Sequence, residues 1–137
     1  MIIIRLWHKD LIPYLPKNQL LGQWRECCCI ARNIVINNTP NHILVNKILN
    51  YPTEHFITYT YYIYKEMKKR GYRINWNKFQ KHSENHIFTT EYTQLFKNWH
   101  NKRYLQQCLY NLQEKYDCGG ISQEEWNIIE NKFKEYF

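Results

Sequence analysis

Apolar residues recur at helical spacing in several stretches of this chain, and Pro, Gly and Asn residues separate those stretches. Residues three, four or seven positions apart share one face of an α-helix. On that spacing, residues 18–35 predict a helix with Glu26 pointing away from the core, beside Gln19, Gly22, Gln23 and Asn33 on its polar face. The buried stripe consists of Leu20, Leu21, Trp24, Cys27, Cys28, Ala31, Ile34 and Val35.

Two helices are predicted in the middle of the chain. Pro40 opens a short one at about 41–49, and the Asn50-Tyr51-Pro52 stretch closes it. The next begins near Thr53, which we expect as its N-cap, and ends where Gly71 takes the left-handed cap. Aromatic side chains lie on nearly all its sides, so we expect it to be the central helix. Residues 72–97 show no pattern that assigns an element.

Two more helices are predicted near the C-terminus. One face of the first runs through 104–112, and a turn at 117–120 ends it. The second starts with a capping box formed by Ser122 and Glu125, and its inward stripe is Trp126, Ile129, Phe133 and Phe137. No stretch alternates as a strand does. The predicted fold is therefore all-α, a compact single-domain helical bundle of about four to five helices over 1–137.

The charge of the chain favours a polyanionic partner. A formal net charge of +7 and a pI near 9.1 are typical of domains that bind nucleic acid, although a solvated basic surface is the alternative. No segment is long and apolar enough to span a bilayer, so we expect no membrane association and a cytoplasmic or nucleoid location.

The cysteines and histidines point to no metal. Five cysteines, an odd number with three adjacent, suit a reducing compartment better than a disulfide framework. Neither they nor the six scattered histidines supply two ligand pairs at zinc spacing. We therefore predict no structural metal, and we read Cys27 and Cys28 as small hydrophobic residues.

The candidate chemistry lies on the polar face of the first long helix. Gly22 stands one turn before Glu26, and a missing side chain there would let a ligand approach the carboxylate closely. Glu26 would then act as an acid–base or electrostatic group, with Arg5 and Arg25 binding phosphate. On spacing alone, the interpretation of Glu26 and Arg25 as ordinary surface charges is favoured over the functional one.

Longer stretches carry a family resemblance. They are RLWHKDLIP at 5–13, LP at 15–16, QLLGQWRECC at 19–28, His42 with VN at 45–46, EMKKRGY at 66–72, RYLQQC at 103–108 and NLQEK at 111–115. Together they resemble the bacterial pyrimidine-dimer DNA glycosylase (endonuclease V) family. The phage branch of that family shares fewer residues, chiefly the basic residue matched by Arg5 and the triplet matched by 24–26.

The resemblance implies a two-step reaction on damaged double-stranded DNA by a monomer that needs no metal and no cofactor. The N-terminal amine attacks the sugar carbon that bears the damaged pyrimidine, an imine forms, and β-elimination then cuts the strand. The residue matched by Glu26 assists this chemistry. We assign the DNA contacts to Arg5, Gln23, Arg25, His42, Lys69 and Arg70.

The N-terminus leaves several readings open. In the family the reactive amine immediately precedes the residue matched by Arg5, which is the Ile4 position, whereas here the α-amine belongs to Met1. Either the first residues fold back, or translation starts at Ile4, or the enzyme is impaired. A non-catalytic DNA-binding protein, and a helical RNA-binding or phage–host interaction module, are the competing functions. The lesion also stays open between a cyclobutane dimer, an oxidised base and an abasic site.

Overall fold

The computed structural model describes residues 5–37, 43–79 and 90–137 of the chain. Within these residues every regular element is a helix, which confirms the all-α prediction. The α-helices of seven or more residues are α1 (Lys17–Asn37), α2 (Ile43–Leu49), α3 (Thr53–Lys69), α4 (Lys102–Asp117) and α5 (Gln123–Lys132). Shorter 3-10 helices cover Lys9–Tyr14, Tyr92–Gln94 and Lys134–Tyr136. None of the helices in these ranges is both long and apolar enough to cross a membrane.

Helix α1 buries the stripe that its sequence predicts. Leu20 and Cys27 are fully buried, and Trp24 and Ala31 nearly so. Leu21 and Cys28 are half-buried and pack against the same core, whereas the side chains at 34 and 35 lie outside the described part of the chain. The long stripe thus holds α1 against the rest of the molecule and leaves one side of the helix free for other contacts.

Helix α3 packs against α1, α2 and the 3-10 helix at 9–14, in agreement with its predicted central position. The buried residues of this helix are Phe56, Ile57, Thr58, Tyr59, Thr60, Ile63 and Met67. Its predicted N-cap was wrong by one residue, because the N-cap position is Pro52 and Thr53 is already helical. At the other end Gly71 has φ +85°, the left-handed conformation that the sequence predicts.

The capping box of α5 is present as predicted, with Ser122 and Glu125 bonding each other's backbone N–H. The Glu125 carboxylate also accepts from the backbone N–H of Lys17 at 2.8 Å, which ties α5 to the start of α1. Trp126, Ile129 and Phe133 are buried. Phe137 was wrongly placed in this stripe, since α5 ends at Lys132 and Phe137 is 43% exposed.

The segment before α4 shows why its sequence lacks a periodic pattern. Phe96 and Asn98 have φ of 51° and 75°, a conformation that is rare for residues other than glycine. These turns direct Leu95, Phe96 and Trp99 into the core without any helical spacing. Tertiary packing, rather than local propensity, therefore determines the structure here.

Candidate active site

A cavity of about 240 Å³ opens beside the polar face of α1. Its walls come from three parts of the chain: the irregular segment at 5–8, α1 and α4. The lining residues are Arg5, Trp7, Asn18, Gln19, Gly22, Gln23, Glu26, Asn111 and Lys115. Glu26 lies in this cavity, half-buried and outside the core, as the helical spacing predicts.

The carboxylate of Glu26 faces the N-terminal segment. Its Oε2 accepts a hydrogen bond from the backbone N–H of Arg5 at 3.3 Å. Burial has the largest effect on this group and raises the pKa of the carboxyl above the ordinary glutamate value. The hydrogen bond from Arg5 and the positive charges of Arg25, Arg5 and Lys115 oppose that rise. A carboxylate so placed can hold a proton or stabilise a nearby positive charge.

Gly22 leaves the approach to this carboxylate open. It lies one turn before Glu26 on the same face of α1, and both residues line the cavity. A Cβ built on Gly22 would meet only the Arg25 Nη2 atom, at 4.0 Å. The protein would thus have room for a larger residue at position 22. The glycine leaves that space to the cavity, as the sequence led us to expect.

Gln23 requires a correction. The sequence puts it on the open polar face, whereas its side chain is 1% exposed. Its Oε1 accepts from the backbone N–H of Trp7 at 2.7 Å, and its Nε2 donates to the carbonyl oxygen of Arg5 at 2.8 Å. The same Nε2 lies 3.5 Å from Oε2 of Glu26. The segment at 5–8 covers this side of α1, so Gln23 holds that segment in place.

The two arginines differ in their surroundings. Arg5 is half-buried, and its guanidinium carbon lies 5.6 Å from the centre of the Trp7 ring. Arg25 is exposed. Trp7 and Trp24 are both buried, 6% and 5% exposed, so they contribute to the core. Positive charge thus reaches the cavity from the N-terminal segment and from α1.

Comparison with protein-family models confirms the resemblance. A model described as pyrimidine dimer DNA glycosylase matches residues 4–80, more than half of the 137-residue chain. The chain belongs to the pyrimidine dimer DNA glycosylase family. Searches of curated proteins and of solved structures found no match. Membership supports a DNA repair glycosylase with DNA as its substrate, and the matched range contains the Arg5, Gln23 and Glu26 cluster.

Among the lining residues that were given no role from the sequence, two belong to α4. Asn111 and Lys115 stand one turn apart on α4 and face the cavity together, the first half-buried and the second exposed. Both lie beyond the residues that the family model matches. Their four-residue spacing on a predicted helix was the available signal, but only the fold shows that α4 faces Glu26.

Arg70 bonds several acceptors within the protein. Its Nε donates to Glu66 at 2.8 Å, its Nη1 to the carbonyl of Leu15 at 2.8 Å and its Nη2 to the carbonyl of Pro13 at 3.2 Å. These bonds tie the end of α3 to the chain that leads into α1. The guanidinium thus has acceptors within the protein, and the phosphate contact expected from the sequence stays a prediction.

The remaining predicted contacts are not part of the Glu26 cavity. Lys69 is exposed at a second cavity of about 410 Å³, which shares no lining residue with the first. His42, Met1 and Ile4 lie outside the described residues. The described members of the predicted site thus divide between the Glu26 cavity and the C-terminal end of α3.

We expect Arg70→Met to lower the free energy of unfolding by about 2 kcal/mol, because it leaves a carboxylate and two backbone carbonyls without their charged donor. Urea unfolding followed by circular dichroism measures the change. Lys69→Met is the matched control, since it removes the neighbouring exposed cation and should change stability by less than about 0.5 kcal/mol. Equal losses in the two variants would contradict the structural role of Arg70.

Proposed function

We propose that this chain removes damaged pyrimidines from DNA through an imine between its N-terminal amine and the sugar, and then cuts the strand by β-elimination. The observation that carries the proposal is the hydrogen bond of 3.3 Å from the backbone N–H of Arg5 to Glu26. It brings the start of the described chain against Glu26, the carboxylate among the described residues that line the cavity. A nucleophile at the N-terminus and the Glu26 carboxylate on α1 would then act on a substrate bound in the same cavity.

Of the readings of the N-terminus that the sequence leaves open, we favour a chain that starts at the Ile4 position, so that the α-amine belongs to the residue before Arg5. One residue spans at most about 3.3–3.6 Å, so that amine would lie within one residue's reach of the nitrogen that bonds Glu26. An α-amine has a pKa near 8, against about 10.4 for lysine, and a usable fraction is neutral at pH 7. The charges of Arg5 and Lys115 favour the neutral amine, whereas the Glu26 carboxylate favours the charged form.

The reaction balances without a further reagent. The neutral amine forms a bond to C1′ of the sugar, the bond from C1′ to the base breaks, and the base leaves with the electron pair and takes up a proton. The bond between C1′ and O4′ then breaks, O4′ takes up the remaining proton of the nitrogen, and the C1′ imine forms. Loss of a C2′ proton then expels the 3′ phosphate. Glu26 stabilises the positive charge that grows on C1′ and exchanges protons beside it.

The size and charge of the cavity support a nucleotide taken out of the helix. At about 240 Å³ it is smaller than the pockets that hold drug-sized ligands, and it suits a single sugar. Arg5, Arg25 and Lys115 supply positive charge around it, which suits the flanking phosphates. Unstacking a nucleotide costs a few kcal/mol and costs least at a lesion, so selectivity for damage begins at this step.

The first test traps the imine. Borohydride present during incubation with dimer-containing or abasic duplexes should give a covalent protein–DNA adduct. Glu26→Gln should keep DNA binding and lower strand cleavage by at least about a hundredfold, the scale of a well-placed acid–base or electrostatic group. Glu124→Gln makes the same charge change at an exposed site on α5 and should cleave normally.

Two results would contradict the proposal in different ways. If the wild type forms no adduct on either duplex, the chain is a non-catalytic nucleic-acid-binding protein on the same scaffold. If Glu26→Gln cleaves as fast as Glu124→Gln does, imine chemistry stands and Glu26 has no part in it.

The pH dependence of single-turnover cleavage provides a second test. Both a neutral amine and an ionised Glu26 are required, so the logarithm of the rate should rise with slope two at low pH and slope one nearer neutrality. Burial raises the pKa of Glu26, so the change of slope should lie above about 4.3, the usual glutamate value. Glu26→Gln should give slope one throughout. If the slope still changes in Glu26→Gln, the titration behind it belongs to a group other than Glu26.

A further inference from the structure

The backbone of the N-terminal segment is held by side chains. Among the described residues, the N–H and carbonyl groups of residues 5–7 pair with no other backbone group. Buried backbone groups need partners, because an unpaired one costs as much as a lost hydrogen bond. Here Gln23 and Glu26 of α1 supply three of those bonds, at 2.7, 2.8 and 3.3 Å.

Helices α3 and α4 supply two more of these bonds. The hydroxyl of Tyr59 donates to the carbonyl oxygen of Trp7 at 2.7 Å and lies 3.0 Å from Oε1 of Gln23. The hydroxyl of Tyr104 donates to the carbonyl oxygen of Leu6. Side chains from three helices thus bind five of the N–H and carbonyl groups of residues 5–7, and each of those five has one defined partner.

Tyr59 is the most informative of these residues. Its side chain is fully buried in the centre of α3, where a phenylalanine would fill nearly the same volume. Burying a hydroxyl is unfavourable unless it is hydrogen-bonded. Both partners of this hydroxyl belong to the attachment of the N-terminal segment, namely Trp7 itself and the Gln23 amide that holds Trp7. The polar atom of Tyr59 therefore acts on the position of that segment.

We propose that Gln23 and Tyr59 are positioning residues that set the register of residues 5–7 against Glu26, and thereby the place at which the N-terminal amine meets the sugar. This inference rests on the proposed imine chemistry. Tyr59 is not among the residues that line the cavity, and the two short bonds of Gln23 go to the backbone of the segment, so we assign both residues a positioning role. The bond from Arg5 to Glu26 fixes one point of the segment, and the bonds of Gln23 and Tyr59 to Trp7 fix a second point two residues further on.

Register matters because the distances are short. A shift of one residue moves a non-helical chain by up to about 3.3–3.6 Å along its length. Attack requires the reacting atoms about 3–3.5 Å apart and aligned, and a displacement of about 1 Å can cost a hundredfold in rate. A slip of one residue would thus remove the amine from the sugar while leaving the cavity and its positive charges in place. The signature of this role is a slower chemical step with unchanged DNA affinity.

The test compares Tyr59→Phe and Gln23→Met with the full-length wild type. We expect each variant to lower the single-turnover rate of imine trapping at saturating protein at least about tenfold, with an affinity for an uncleavable abasic-site analogue within about twofold. In both variants the backbone amide of Trp7, which donates to Gln23, should exchange with deuterium faster than in the wild type. Gln23→Met keeps the test valid if the tyrosine variant fails to fold.

Two control variants separate register from general stability. Tyr51→Phe removes a similar hydroxyl-to-carbonyl bond of 2.7 Å, to Lys97 and away from the segment. Ile129→Val trims a fully buried residue of α5. Both should trap DNA at the wild-type rate, even where thermal unfolding shows that they are destabilised.

The outcomes distinguish the inference from the function on which it rests. If the wild type traps no DNA, the proposed function fails and the inference fails with it. If the wild type reacts, and the Tyr59 and Gln23 variants react equally fast despite faster exchange at Trp7, the inference alone is overturned. The inference is also overturned if Ile129→Val or Tyr51→Phe slows trapping as much as the Tyr59 and Gln23 variants do, because Tyr59 and Gln23 then have only a structural role.

Discussion

The attachment of the N-terminal segment to α1 is the constraint on which the candidate site depends. Residues 5–7 have no backbone partner among the described residues, so their path is determined by side chains of α1, α3 and α4. Burial of Trp7 adds the apolar part of the same attachment. One wall of the cavity is made of this segment, and the environment of Glu26 depends on its position.

The same attachment connects packing with chemistry. Covering α1 removes water from Glu26, which raises the pKa of its carboxyl, while the N–H of Arg5 and three nearby cations keep the charged form accessible. Gly22 keeps the other side of the carboxylate open. A half-buried acid with one open side suits proton exchange and the stabilisation of positive charge. A fully exposed glutamate lacks the burial that raises the pKa of Glu26.

Local signals predicted much of the fold, and long-range contacts account for most of the errors. The stripe of α1 could be predicted because the helical spacing of its apolar residues is a local pattern, and the capping box of α5 because its two partners lie three residues apart. The role of Gln23 depends on Trp7, 16 residues away, and that of Arg70 on carbonyls 55 and 57 residues away. Glu26 was found through its face and the family resemblance, whereas Lys115 became visible only when the fold brought α4 to the cavity.

The central claim is that the chain's own α-amine is the nucleophile, and mapping the trapped adduct tests it most directly. After borohydride reduction and nuclease treatment, trypsin cleaves behind Arg5 and releases a short N-terminal peptide. Mass spectrometry should find the sugar remnant on the α-amine of that peptide, and the mass of the peptide shows whether the chain begins at Met1 or at the Ile4 position. A remnant on a lysine side chain, such as that of Lys115, would contradict the account.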